Sequence, residues 1–122
     1  MTKILIVDDD PDMVEACRIV LEREGYSVES ACSLDAGLAK FEEVQPDLLI
    51  LDVMMEEPDD GLRMAREIRK AGHTLPIIML TSINAAMGLN IDKDEEMVPV
   101  EEFQPKPVDP QTLIAKVKKL LA

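Results

Sequence analysis

The feature that most constrains this chain is a set of short, continuous apolar runs, each followed closely by a polar side chain. Three runs occupy residues 4–7, 48–51 and 76–80, and a shorter stretch runs through Phe103. Runs of this length, rich in Ile, Val and Leu, are typical of strands buried on both faces of a parallel sheet. Ligands of such sheets bind in the crevice outside the carboxyl ends of the strands. The polar side chains after the runs are therefore expected to converge on one small site.

The side chains expected at that site carry acidic, hydroxyl and ammonium groups. Asp8 and Asp9 follow the first run, Asp52 the second, Thr81 the third and Lys106 the last. Acidic residues after a strand often do no more than cap the next helix, and Asp10 fits that role because Pro11 suits the first helical position. Five residues at four different strand ends are harder to explain by capping alone. The set predicts a site with chemical function.

Helical patterns separate these strands and define the fold class. Ser27–Ala31 predicts a second strand, helices are expected after Asp10, Ser33 and Asp109, and a further helix spans residues 61–71. This alternation predicts an α/β fold, a flavodoxin-like doubly wound five-stranded parallel sheet of order 2-1-3-4-5. Residues 83–100 hold Gly88, Pro99 and an acidic run, so we expect a degenerate or shortened fourth helix there.

Size and charge limit the classes of function. The 122 residues suit a single domain covering 1–122. No apolar stretch approaches the roughly 20 residues that span a bilayer, and the first residues do not resemble a signal peptide, so we expect a cytoplasmic location with no membrane contact. A net charge of −12 predicts no direct binding of nucleic acid by this domain.

Two cysteines and one histidine offer little chemistry. Cys17 and Cys32 lack metal-ligand spacing, and we expect both to be free, buried thiols. His73 lies in a Gly-His-Thr sequence and is expected to be a solvated turn residue. The residues therefore suggest no pair of nucleophile and histidine base.

The converging carboxylates predict a cation. Two carboxylates about 4 Å apart repel by several kcal/mol at an effective dielectric near 20, and a bound cation or a shared proton relieves this. Oxygen ligands with room for water suit Mg²⁺. An ammonium and a hydroxyl beside the metal could hold phosphoryl oxygens, and the remaining carboxylate could attack phosphorus to form an acyl phosphate.

The chain resembles the receiver domain of two-component response regulators over essentially its whole length. The resemblance rests on four segments: Ile-Val-Asp-Asp-Asp at 6–10, Leu-Asp-Val-Met-Met at 51–55, Leu-Thr-Ser at 80–82 and Phe-Gln-Pro-Lys-Pro at 103–107. Each segment is weak alone, but the four in this order and spacing are specific. What the resemblance implies is a phosphoacceptor that catalyses only its own phosphorylation and dephosphorylation, not a turnover enzyme.

The resemblance also implies a role for each site residue. Asp52 would be the phosphoacceptor, and Thr81 and Lys106 would contact the phosphoryl group. The Mg²⁺ ligands would be Asp9, Asp52 and the backbone carbonyl of Met54, with Asp8 acting mainly through a bound water. Thr81 and Phe103 would form the conformational switch, although Phe103 could equally be a plain core aromatic.

The implied partners are a sensor histidine kinase or phosphotransfer protein and a downstream protein target, and a homodimer is also open. Two alternatives belong to other classes. One is a small Mg²⁺-dependent phosphatase of the haloacid dehalogenase type, with Asp8 of the Asp8-Asp9-Asp10 sequence as nucleophile. The other is an interaction module that kept the fold and is not phosphorylated.

Two departures from the family pattern concern the loops. Glu56 stands where the family usually has proline, and the span from Thr81 to Lys106 is about three residues longer than usual. In the family, the fourth helix, fifth strand and fifth helix signal the output. We therefore expect this output face to be rebuilt here.

The residues two positions after Asp52 and Thr81 predict a long-lived acyl phosphate. These are Met54 and Ile83, and neither side chain can orient an attacking water. Decay of the phosphorylated protein in Mg²⁺, followed over time, should be slow, and Met54→Asn should accelerate it. Loss within seconds that Met54→Asn leaves unchanged would rule the hypothesis out.

Overall fold

The computed structural model describes residues 2–52, 60–81, 102–105 and 109–121, with the backbone alone at 81 and 102–105. In chain order the elements are β1 Lys3–Val7, α1 Pro11–Arg23, β2 Ser27–Ala31, α2 Leu34–Val44, β3 Leu48–Asp52, α3 Asp60–Lys70, β4 Ile77–Thr81, β5 Glu102–Pro105 and α4 Pro110–Leu121. The degenerate fourth helix and the rebuilt output face predicted from the sequence depend on residues 83–100, which lie outside the described residues.

The five strands form one parallel sheet in the order β2-β1-β3-β4-β5. The predicted flavodoxin-like order is therefore confirmed. Crossover helices between parallel strands must lie on the faces of the sheet, which explains why the central strands are apolar throughout. All five residues of β3 are buried, and so are the last four of β1.

The two faces of the sheet are covered by different helices. Successive strand side chains point to opposite faces, so odd-numbered and even-numbered residues of β1 separate into two clusters. Helices α2 and α3 pack on one face and α1 and α4 on the other. The first cluster includes Leu5, Val7, Phe41, Leu49, Leu51, Met64, Ile68 and Met79. The second includes Ile4, Ile6, Cys17, Leu21, Leu48, Ile50, Leu113 and Val117.

The helix starts agree with the capping residues predicted from the sequence. The Asp10 carboxylate accepts hydrogen bonds from the backbone N–H groups of Asp12 and Met13, at 3.1 and 3.4 Å. The Ser33 hydroxyl accepts from the N–H of Ala36 at 3.1 Å. These bonds satisfy donors that have no partner within the helix. They also fix where α1 leaves β1, close to the predicted site.

An ion pair joins the ends of α1 and α4. The Lys118 ammonium lies 2.6 Å from a carboxylate oxygen of Glu24. The hydrogen bond to Glu24, together with its negative charge, raises the pKa of Lys118. Glu24 is the residue that caps the carboxyl end of α1, so this contact ties that end of the helix to α4.

One expectation about the cysteines is wrong. Cys17 is a buried free thiol as predicted, whereas Cys32 is free but exposed. Cys32 directly follows β2, which is the edge strand of the described sheet, so none of the described strands covers it on the outer side. His73 is exposed, as expected, but its ring also packs edge-on against Phe41 at a centroid distance of 4.9 Å. In the described part of the chain, no helix is both long and apolar enough to cross a membrane.

A close approach between α2 and β1 requires glycine at position 37. A Cβ atom there would lie 2.8 Å from Cγ1 of Val7 and 3.1 Å from Sδ of Met64. Both neighbours are fully buried, so neither has free space into which to move. Val7 directly precedes Asp8, so this contact also supports the strand end that carries the first acidic residues.

We expect Gly37→Ala to lower the free energy of unfolding by about 1–2 kcal/mol. Overpacking a core costs about 1–3 kcal/mol, and the better helix propensity of alanine returns about 1 kcal/mol at most. Urea unfolding followed by circular dichroism measures the difference. Ala39→Gly at an exposed position of α2 calibrates the propensity contribution in the same helix. A Gly37→Ala protein as stable as the wild type would contradict the proposed clash.

Candidate functional site

The strand register brings the first two acidic positions side by side. In the parallel pair β1–β3, Val7 lies opposite Leu51. The next residues along the two strands are Asp8 and Asp52, which therefore leave the sheet at the same edge. This edge is the carboxyl end of the strands, where open α/β sheets bind ligands.

Three carboxylates meet at this edge. One oxygen each from Asp8, Asp9 and Asp52 lies within 4.8 Å of the other two. Asp8 and Asp52 are buried, with 1% and 4% of their surface exposed, whereas Asp9 is exposed. The convergence predicted for these three residues is confirmed.

Backbone hydrogen bonds fix the position of Asp8. Its Oδ1 accepts a hydrogen bond from the N–H of Asp10 at 2.9 Å. Its own N–H donates to the carbonyl of Ala31, the last residue of β2, at 3.1 Å. Asp8 is thus held on one side by the turn into α1 and on the other by the edge strand.

The composition of the cluster fits a hard divalent cation. Three negative charges within 4.8 Å repel one another, and burial of two of them reduces the screening by water. The ligand atoms are all oxygens, which suits Mg²⁺ better than Zn²⁺. The exposed side chain of Asp9 leaves a solvent-facing side, where a magnesium ion can keep part of its hydration shell.

The other predicted site residues can be placed only by backbone register or lie outside the described residues. Asp52 pairs with Leu80 in β4, so Thr81 is the next residue along the neighbouring strand. Phe103 in β5 lies opposite Met79. Met54 and Lys106 lie outside the described residues, so their predicted roles stay predictions.

An open cavity of about 520 Å³ adjoins the acidic cluster between α1 and the end of β2. It is lined by Asp8, Asp9, Pro11, Val14, Glu15, Arg18, Ser30, Ala31 and Cys32. The wall farther along α1 contains Arg18, whose guanidinium donates to Ser30. Neither Arg18 nor Ser30 is predicted from the sequence to be a site residue. The sequence signal for Arg18 is its place beside Cys17 on the buried face of α1, and this place does not identify a partner.

The chain matches a known protein family over most of its length. Residues 4–118 match the model of the response regulator receiver domain. The chain therefore belongs to the receiver domain family of response regulators, and the resemblance found in the sequence is confirmed. Proteins of this family are phosphoacceptors.

Curated relatives extend beyond this chain. It is 38% identical to the transcriptional regulatory protein ResD of Bacillus subtilis and 35% identical to the alkaline phosphatase synthesis transcriptional regulatory protein PhoP of the same organism. Each alignment covers 98% of the chain and 48% of the relative. The chain thus spans about half the length of these relatives.

Solved structures share the fold over nearly the whole chain. The response regulator TrrA of Thermotoga maritima, in complex with Mg(2+)-BeF, is 36% identical with a TM-score of 0.82, covering 98% of this chain and 99% of that one. A two-component response regulator from Clostridium difficile is 27% identical with a TM-score of 0.83, covering 99% and 96%.

Repulsion within the cluster predicts opposite effects of one substitution with and without metal. In metal-free buffer, Asp9→Asn should raise the free energy of unfolding by about 1–2 kcal/mol, because it removes one of three crowded charges. In millimolar Mg²⁺, the wild type should gain stability and Asp9→Asn should gain much less. Thermal unfolding with and without the metal measures both effects.

The matched control is Glu42→Gln, which makes the same charge change at an exposed position of α2. It should leave the Mg²⁺-dependent gain intact. Equal responses of Asp9→Asn and Glu42→Gln to magnesium would show that Asp9 does not contribute to a cation site.

Proposed function

We propose that this domain is a phosphorylation switch in which Asp52 accepts a phosphoryl group from the phosphohistidine of a sensor histidine kinase or phosphotransfer protein. The observation that carries the proposal is the convergence of the Asp8, Asp9 and Asp52 carboxylates at the carboxyl edge of the sheet. Family membership and the Mg(2+)-BeF complex of the similar TrrA domain support it.

Mg²⁺ is the proposed cofactor. Asp9 and Asp52 would hold it directly, together with the Met54 backbone carbonyl, while Asp8 would act mainly through a water molecule. Bound magnesium would neutralise charge on the cluster and on the transferring phosphoryl group. The carboxylates of this chain supply the hard oxygen ligands that such an ion needs.

The transfer itself is a substitution at phosphorus. A carboxylate oxygen of Asp52 forms a bond to phosphorus, and the bond from phosphorus to the histidine nitrogen breaks. The electron pair leaves with the imidazole, which can then take up a proton. Asp52 is suited to this attack because aspartate forms acyl phosphates, and Lys106 and Thr81 would contact the phosphoryl oxygens.

The proposed switch depends on a contact between Thr81 and the phosphoryl group, which can form only after Asp52 has been phosphorylated. The phosphoryl group adds negative charge and acceptor oxygens beside Thr81, the next residue after the Leu80 that pairs with Asp52. A hydroxyl that gains a partner in one state alone biases a two-state equilibrium toward that state. Phe103 is the aromatic proposed to respond, and hydrolysis of the acyl phosphate would reset the domain.

The remaining parts of the proposal concern context. We propose a single receiver domain over residues 1–122, located in the cytoplasm, that signals through a downstream protein or a homodimer. Its net charge of −12 makes direct contact of this domain with nucleic acid or an anionic membrane surface unfavourable.

The test is phosphorylation with a small acyl phosphate such as acetyl phosphate, with and without Mg²⁺, followed by mapping of the modified residue. We expect magnesium-dependent addition of one phosphoryl group at Asp52 and none in Asp52→Asn. Intact-protein mass spectrometry measures the addition, and Asp47→Asn, at an exposed acidic position before β3, is the matched control. Phosphotransfer from candidate kinases, compared in the same variants, then identifies the partner.

Other results would point elsewhere. Modification of Asp8 with turnover of a generic phosphomonoester would favour the phosphatase of the haloacid dehalogenase type. Absence of both magnesium binding and phosphorylation would favour an interaction module that is not phosphorylated.

A further inference from the structure

We propose that Arg18 is a positioning residue for the cation site: by fastening α1 to the edge strand β2, it holds Asp8 and Asp9 where they can share a metal ion. The inference rests on the proposed magnesium function of this cluster. It concerns a residue that contributes no ligand and lies on the far wall of the cavity beside the site.

Arg18 makes polar contacts with both elements. Its Nη1 donates to the Val28 carbonyl at 3.3 Å, and its Nη2 donates to the Ser30 hydroxyl at 2.9 Å. On its own helix, Nε lies 3.8 Å from a carboxylate oxygen of Glu15. The side chain is 30% exposed, so the two hydrogen bonds to β2 are partly shielded from water. A planar guanidinium can make this pair of contacts in one fixed geometry.

The fastened strand continues directly to the acidic cluster. Ser30 precedes Ala31, and the carbonyl of Ala31 accepts the hydrogen bond from the N–H of Asp8. Asp8 in turn accepts from the N–H of Asp10, which caps α1. The links run from α1 through Arg18 and β2 to Asp8 and back to the start of α1. Arg18, Ser30, Ala31 and Asp8 all line the open cavity of about 520 Å³.

The edge position of β2 explains why such a link matters. On its inner side β2 pairs with β1, and none of the other described strands lies on its outer side. Within the described sheet, β2 is thus held by its ladder with β1, whereas β3 is held on both sides. The hydrogen bonds from Arg18 tie the end of this strand to the helix packed above it. Without them, the links that fix Asp8 are interrupted at β2.

Whether replacing Arg18 strengthens or weakens Mg²⁺ binding distinguishes a positioning role from a purely electrostatic one. Arg18 is a cation near a cation site, so removing it should strengthen Mg²⁺ binding if only Coulomb interactions mattered. If Arg18 positions the carboxylates, its removal should weaken binding instead. Arg18→Met keeps much of the apolar stem and removes the hydrogen bonds, and Ser30→Ala removes one of the two contacts without any change in charge.

The first measurement is amide hydrogen exchange in metal-free protein, followed by NMR. We expect the Asp8 amide to exchange about tenfold faster in Arg18→Met, since its acceptor on β2 is less well held. The amide of Leu49, which donates to the Pro76 carbonyl on the other side of the sheet, serves as internal reference. Equal acceleration of both amides would indicate global destabilisation and overturn the proposal.

The second measurement is the dissociation constant for Mg²⁺, determined by calorimetry. We expect binding to weaken about tenfold in Arg18→Met, as for other residues that orient metal ligands, and by less in Ser30→Ala. Arg23→Met is the control, because it makes the same charge change at an exposed position in the last turn of α1. It should leave the dissociation constant unchanged or lower it slightly.

Arg18→Lys separates the charge from the geometry. A single ammonium cannot reproduce the fork that reaches Val28 and Ser30, so we expect Arg18→Lys to behave like Arg18→Met. The proposal would be overturned if Arg18→Lys bound Mg²⁺ as tightly as the wild type does. It would also be overturned if Arg18→Met did so. Failure of the wild type itself to bind Mg²⁺ would instead count against the proposed function.

Discussion

The burial of the apolar strands is the interaction on which the arrangement of this domain depends, because it brings three mutually repelling carboxylates together at one edge of the sheet. Asp8 and Asp52 leave adjacent parallel strands at the same level because Val7 and Leu51 are paired, and Asp9 follows directly. Neither buried carboxylate can move far, since both strands are packed on both faces. The apolar sheet therefore holds like charges together against their repulsion, and the gain on binding a cation follows from that confinement.

Much of this arrangement could be predicted from the sequence because it depends on short-range patterns. The apolar runs ending at Val7 and Leu51 indicated strands buried on both faces, and the parallel topology then required their ends to meet at one edge. Asp10 and Ser33 were recognised as caps because a side-chain oxygen before a helical pattern has a local physical role. The bounds of β2 agree with the prediction, although an edge strand has a weaker apolar signal.

What could not be predicted depends on contacts between residues distant in the chain. The prediction that Cys32 is buried was wrong. It rested on residue type alone, and residue type does not reveal that Cys32 follows an edge strand. The contact of Arg18 with Ser30 joins a helix to a strand residue twelve positions later in the chain. The periodicity of the sequence does not reveal whether the Arg18 side chain adopts a rotamer that reaches Ser30. The close approach at Gly37 likewise becomes visible only when Val7 lies opposite it. The roles of Met54 and Lys106 stay predictions, because these residues lie outside the described part of the chain.

The two flanks of Asp8 are not equally well supported, and this asymmetry has a mechanical consequence. On one side lies β3, a central strand that is itself paired with β4. On the other side the N–H of Asp8 donates to the carbonyl of Ala31 at the end of β2, the edge strand of the described sheet. Among the described strands, a displacement of β2 would disturb its pairing with β1, whereas a displacement of β3 would disturb its pairing with both β1 and β4. Contacts between α1 and β2, such as those of Arg18, therefore support the proposed cation site on the side where the described sheet supports it least.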